Sequence, residues 1–183
     1  MSQASVRRWC VLVGALVLVV ALPLRASAQS KMDFSLGYSV MHDSDAQTNF
    51  PLGWYASIGA PISPMWAIAA DVSGNYKSIE LAPGVDAKLK VHTFMAGPKV
   101  ASRQGQMTPW AQVLVGAASL SGSVFGIGDS ETDFAWAPGG GVDFNVQNSF
   151  GVRLGANLRF IHSSGSTVKE FQFIAGVVVG GGR

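Results

Sequence analysis

Phe150-Gly151-Val152-Arg153-Leu154-Gly155-Ala156-Asn157-Leu158-Arg159-Phe160 alternates without a break between two kinds of residue. Phe150, Val152, Leu154, Leu158 and Phe160, with Ala156, form one set, and Gly151, Arg153, Gly155, Asn157 and Arg159 form the other. Successive side chains of a strand point to opposite faces, so this stretch has one bulky apolar face and one small or charged face. A water-soluble sheet buries its bulky face and wets the other. Here the second face is too rich in glycine to make a good wet surface. It does suit the interior of a closed eight-stranded barrel, which is just wide enough for side chains to fill. The bulky face then belongs outside, against lipid.

The same period of two recurs on both sides of this stretch. Outward sets are Phe34, Leu36, Tyr38, Val40; Leu52, Trp54, Ala56, Ile58; and Trp66, Ile68, Ala70, Val72. Further on come Ala111, Val113, Val115, Ala117; Phe134, Trp136, Val142, Phe144; and Phe171, Phe173, Ala175, Val177, Val179. A less regular segment sets Leu89, Val91, Thr93, Met95 outward against Lys90, His92, Phe94, Ala96. Together these make eight segments of about ten residues, the length of a tilted strand crossing hydrocarbon. Lipid offers backbone groups no partners, so only closure satisfies every strand. The expected fold is all-β: an eight-stranded antiparallel up-and-down transmembrane β-barrel.

Connections alternate in character. One set contains Pro61–Pro64, Ser102–Thr108 and Gln147–Ser149, and the other covers 43–50, 77–88, 121–133 and 163–169, is longer for the most part, and holds most of the acidic residues. Short turns on one side and long loops on the other are expected of a membrane barrel. Aromatic residues near strand ends predict girdles: Trp66, Trp110 and Phe150 at the turn end, and Trp54, Tyr76, Phe134, Phe160 and Phe171 at the loop end. The inward face is expected to carry Asp71, Lys90, His92, Asp143, Arg153 and Arg159, which must pair because isolated charges in a narrow lumen are costly. If Val146 and Phe150 both face lipid across a three-residue turn, Asp143 falls opposite Arg153.

Composition agrees. Apolar residues make up 48% of the 183 and charged ones 13%, about half the charged share of an ordinary soluble domain. Arg7 and Arg8 precede an apolar run, Val11 to Leu22, and Ala26-Ser27-Ala28 gives a small-x-small cleavage pattern. The run is short for a spanning helix of about 20 residues. Residues 1–28 are thus expected to be a signal peptide and 29–183 the barrel domain. Of the 13 basic residues, Arg7, Arg8 and Arg25 lie in that leader, leaving ten against 11 acidic ones. Such a balance gathers no phosphate backbone, so nucleic-acid binding is not expected. The single cysteine, Cys10, also lies in the leader. His42, His92 and His162 fall on separate segments, so neither metal nor cofactor is expected.

His92-Thr93-Phe94-Met95-Ala96-Gly97-Pro98-Lys99 leading into Thr108 through Gly116, then Gly139 through Asp143 and Phe171 through Val178, resemble the bacterial outer-membrane β-barrel family. That family includes the transmembrane domain of outer-membrane protein A and the opacity-type surface proteins. The resemblance covers nearly the whole chain after the leader. It implies a bacterial outer-membrane location, contact with outer-membrane lipid and lipopolysaccharide, insertion by the barrel assembly machinery, a monomer, and a structural or surface role without catalytic residues. Family barrels commonly end in an aromatic residue, whereas the last four residues here are Gly180-Gly181-Gly182-Arg183, and a second, peptidoglycan-binding domain is not expected.

Two other readings stay open. His162-Ser163-Ser164 is similar to the His-x-Ser of lipid A deacylases, in which a histidine activates a serine and a carboxylate, here Glu170, orients the histidine. The chain would then be a lipid A-modifying hydrolase. The other reading is a soluble periplasmic carrier of lipocalin type. The expected function is a non-enzymatic surface barrel with a side-chain-filled lumen and little or no pore activity.

Overall fold

Each alternating stretch becomes a strand. A computed structural model describes residues 32–180 except 46, 83–84, 104, 125–126, 148 and 164–165, with backbone alone at 79–82, 85–87, 123–124 and 127–129. The expected signal peptide lies outside the described residues. Nine strands follow in order: β1 (Asp33–Asp43), β2 (Thr48–Phe50), β3 (Leu52–Pro61), β4 (Trp66–Ala82), β5 (Val85–Ala101), β6 (Met107–Val124), β7 (Ile127–Gln147), β8 (Phe150–Ser163) and β9 (Ser166–Val179). β1 pairs antiparallel with both β2 and β3, each strand from β3 onward pairs antiparallel with the next, and β9 returns to pair with β1.

Strands β2 and β3 are one staff of the wall, broken at Pro51. Proline has no N–H to give a ladder, so it is tolerated in a strand at an irregularity. Met41 opposes Phe50 before the break and Tyr38 opposes Trp54 after it, a slip of one residue. The slip swaps faces, turning Phe50 inward against Met41 and Val91. With β2 and β3 counted together, the barrel has eight strands.

Closure fixes the stagger. Following partners around the wall from Phe34 leads through Ile58, Ala70, Ala96, Val115, Trp136 and Phe160 to Lys169. The Lys169 carbonyl accepts from the N–H of Ser44, ten residues beyond the start. That offset requires the strands to tilt by about 40° to the barrel axis.

The bulky stripe lies outside. Leu36, Leu154 and Phe173 are 59%, 48% and 57% exposed, whereas the inward Ala135 and Leu114 are 0% and 1%. Such continuous apolar exposure is not a surface that a soluble monomer carries. It is the surface that lipid solvates, and it argues against the lipocalin reading.

Three expectations need correction. First, 77–88 and 121–133 are largely strand rather than loop: β4 to β7 run 17 to 21 residues, against about 9–11 needed to cross hydrocarbon. Two long hairpins therefore project beyond the bilayer. Second, the turn after β7 is two residues, 148–149, because Gln147 opposes Phe150 and the ladder slips between Asn145 and Gln147. Third, β5 has the opposite facing from that expected. Val91, Thr93 and Met95 are buried inside, and Lys90, His92 and Phe94 are exposed outside. The upper part of β5 stands above the hydrocarbon, where polar side chains are stable on the exterior.

Candidate functional site

Among the described residues, inward positions of the wall bring charged groups from six strands into the lumen. Near the turn end, Arg153 on β8 lies directly across from Asp143 on β7. Arg153 Nε and Nη2 donate to the two Asp143 oxygens at 2.7 and 2.8 Å. Nη2 also reaches Asp33 Oδ1 at 3.2 Å, and Nη1 donates to Ser35 Oγ at 2.9 Å. Lys99 from β5 closes the group, its Nζ 3.2 Å from the same Asp33 oxygen. Trp110 lies between them. Its Nε1 donates to Asp143 Oδ1 at 3.0 Å, and its ring faces Lys99 at 5.4 Å and Arg153 at 5.2 Å. Two cations and two carboxylates thus share one buried, neutral cluster, stabilised by charge-assisted bonds and ring contacts.

Trp110 does not belong to a girdle. It is 5% exposed and occupies the lumen, because β6 turns its even residues inward. Glycine makes room: a Cβ at Gly155 or Gly141 would stand 2.7 Å from Trp110 Cζ2. The other girdle positions face outward, Trp66 and Phe150 at the turn end and Trp54, Tyr76, Phe134, Phe160 and Phe171 at the hairpin end. Trp136 stacks on Phe160 with centroids 4.5 Å apart, and Trp54 Nε1 donates to Tyr76 Oη at 3.1 Å.

A second cluster lies towards the hairpin end. Arg159 Nη1 meets Glu170 Oε2 at 3.0 Å, and Nη2 donates to Gln172 Oε1 at 3.0 Å and Ser73 Oγ at 3.3 Å. Both charged residues are at most 2% exposed. Between the clusters Asp71 accepts from Gln112 Nε2 at 3.0 Å, and Gln112 also approaches Asn157 at 3.4 Å. An apolar group on β4 to β8, including Ala69, Met95, Leu114 and Ile161, fills the opposite side. Beside the clusters lie a cavity of about 20 Å³ at the turn end and one of about 10 Å³ midway. Each has room for about one water. Residues lining the midway cavity include Tyr55, Asp71, Arg159 and Gln172, each with one buried polar atom lacking a partner among the described residues.

Four of the six expected lumen charges, Asp71, Asp143, Arg153 and Arg159, lie inside. Lys90 and His92 do not; both are exposed on the outer surface of β5. Three inward charges escaped the sequence reading: Asp33, Lys99 and, in this role, Glu170. Asp33 precedes the first clear alternation, and Lys99 follows the Gly97-Pro98 pair, beyond the segment Leu89–Ala96. Parity counted from the expected facing of that segment puts Lys99 outside; it is inward because the whole of β5 faces the opposite way, with Val91, Thr93, Met95 and Lys99 on the buried side.

The hydrolase constellation is not assembled. His162 faces outward, its Nδ1 3.2 Å from Thr167 Oγ1, whereas Glu170 faces inward and is held by Arg159. The barrel wall separates the two, so this carboxylate cannot orient this histidine. Ser164 lies outside the described residues. Among the described residues no group of three or more His, Cys, Asp or Glu could hold a metal ion.

Comparisons with known proteins agree with this architecture. The family described as "Outer membrane protein beta-barrel domain" matches residues 11–180. Neisserial surface protein A is similar in structure at 18% identity, with a TM-score of 0.62 and coverage of 81% of this chain and 95% of that one. The attachment invasion locus protein Ail of Yersinia pestis gives 18% identity, a TM-score of 0.58, and 83% and 99% coverage. OprG of Pseudomonas aeruginosa gives 8%, 0.53, and 82% and 95%. A search of curated proteins found no match. The chain belongs to the outer membrane protein β-barrel family and resides in the bacterial outer membrane.

Proposed function

We propose that this protein is a non-enzymatic barrel that anchors its projecting hairpins at the cell surface, with a lumen closed by its own side chains. The carrying observation is the pair of neutral, hydrogen-bonded charge clusters stacked along the lumen, with cavities of about 20 and about 10 Å³ beside them. An ion path needs contiguous water and charges free to exchange partners. Here each arginine is tied to a carboxylate and to at least one neutral acceptor, so opening a path means breaking several buried bonds at once.

Residues 1–28 act as a cleaved signal peptide in this reading, and amino-terminal sequencing of the purified protein should begin at Gln29. The barrel functions as a monomer solvated by outer-membrane lipid after delivery by the assembly machinery. The decisive test is a planar lipid bilayer containing the refolded protein. Absence of discrete conductance steps is expected; stable, reproducible steps from the unmutated protein would overturn the closed-lumen reading.

A further inference from the structure

The correction to β5 leaves an unusual group on the outside of the wall. Lys88, Lys90 and His92 all project outward, at intervals of roughly 7 Å along one strand. Lys90 is paired in register with Tyr76 on one side and Ser121 on the other, and His92 with Gly74 and Ser119. The aromatic side of this patch is built. Trp54 Nε1 donates to Tyr76 Oη, which in turn lies 3.1 Å from His92 Nε2, with the Tyr76 and His92 rings edge to face at 5.5 Å. Gly74 permits that arrangement, since a Cβ there would stand 2.7 Å from Trp54 Nε1 and 2.9 Å from Tyr76 Oη. On the other side Thr132 Oγ1 donates to Ser119 Oγ at 3.3 Å. Further out, Glu80 and Asp86 are paired in register.

We propose that this exterior patch binds a phosphate group on the headgroup of an outer-leaflet lipid. Height carries the argument. Tryptophan and tyrosine settle at the headgroup level because their rings are apolar and their edges polar, so Trp54 and Tyr76 mark where hydrocarbon ends. Phe94, one inward-outward period below His92, lies on the hydrocarbon side. The two lysines stand at or just beyond the Trp54–Tyr76 level, within the layer where lipid phosphates lie. Among the described residues neither lysine has an ion-pair partner. Their long stems can lie along the wall while the ammonium groups reach the phosphate layer. The hydroxyls of Ser119 and Ser121 add neutral donors beside them.

The test uses the full barrel in detergent, titrated with lipid A carrying both phosphates or with enzymatically dephosphorylated lipid A, and native mass spectrometry to count retained lipid. Each lysine near an anionic surface strengthens association roughly five-fold, so Lys88→Gln with Lys90→Gln should weaken binding of the phosphorylated lipid by roughly 25-fold. Binding of the dephosphorylated lipid should not change. Lys169→Gln removes the same charge from the outside of β9, away from the patch, and should have an effect smaller than five-fold. Heat-modifiable gel mobility confirms that each variant is folded. Equal retention by the double variant and the unmutated barrel, or equal retention of the two lipids by the unmutated barrel, would overturn the proposal.

Discussion

Replacing Arg153 with methionine keeps most of the side-chain volume and removes the charge. The structure specifies what is lost: two bonds to Asp143, one to Asp33 and one to Ser35. Asp33 keeps Lys99, but Asp143 keeps only Trp110 Nε1, and the cluster acquires one unbalanced negative charge. Breaking a buried pair from one side costs about 3–5 kcal/mol. Converting both partners to apolar residues is often close to neutral, and Arg153→Met with Asp143→Leu leaves the Asp33–Lys99 pair balanced. The residual cost then comes mainly from the orphaned Trp110 N–H, about 1–3 kcal/mol. The double variant should therefore be more stable than Arg153→Met alone. Urea unfolding in detergent, followed by tryptophan fluorescence, measures this, and Trp110 itself reports on the cluster. Single variants within about 0.5 kcal/mol of the parent, the range of ordinary surface changes, would refute the reasoning. So would a double variant whose loss equals the sum of the two single losses.

Gly155→Ala should destabilise the barrel by about 1–3 kcal/mol, because the new methyl meets Trp110 at 2.7 Å; a shift in urea midpoint reads it. Asp71→Asn should be neutral or stabilising at pH 7, since the amide oxygen still accepts from Gln112 and a lumen charge with no ion-pair partner among the described residues disappears; a loss above about 1 kcal/mol, the usual scale of a lost hydrogen bond, would contradict this. Glu170→Gln should cost about 3–5 kcal/mol by leaving Arg159 unpaired in the lumen, measured in the same unfolding assay. His162→Ala should leave the lipid A mass spectrum of cells expressing the protein unchanged, because Glu170 is held by Arg159 on the other side of the wall from that ring.

The fold was readable because bulk and smallness alternate so strictly in β8 that only one register puts glycines and arginines together. Counting from that register across a three-residue turn pairs Asp143 with Arg153; the turn has two residues, and the slip between Asn145 and Gln147 restores the count. β5 misled for a physical reason. Its outer half lies above the hydrocarbon, so Lys88, Lys90 and His92 are stable outside while Val91 and Thr93 fill the lumen. An apolar-outward rule fails wherever the solvent outside changes from lipid to water. Trp110 misled differently: a tryptophan near a strand end suits a girdle, and only its parity with Gln112 and Leu114 shows that it points in. The extent of the projecting hairpins was hidden too, because polar strand residues above the membrane have the composition of loops.

The lower charge cluster joins parts of the chain that are far apart, with Asp33 meeting Lys99 and Arg153 at separations of 66 and 120 residues. Asp33 sits at the start of β1, the strand that β9 must reach to seal the wall. Until that seam zips, Arg153 on β8 has one of its two carboxylates missing. Completing the seam and neutralising the interior are consequently a single cooperative event. A half-zipped cylinder would expose both raw backbone edges and unmatched charge, so assembly proceeds with no comfortable resting point short of the finished ring.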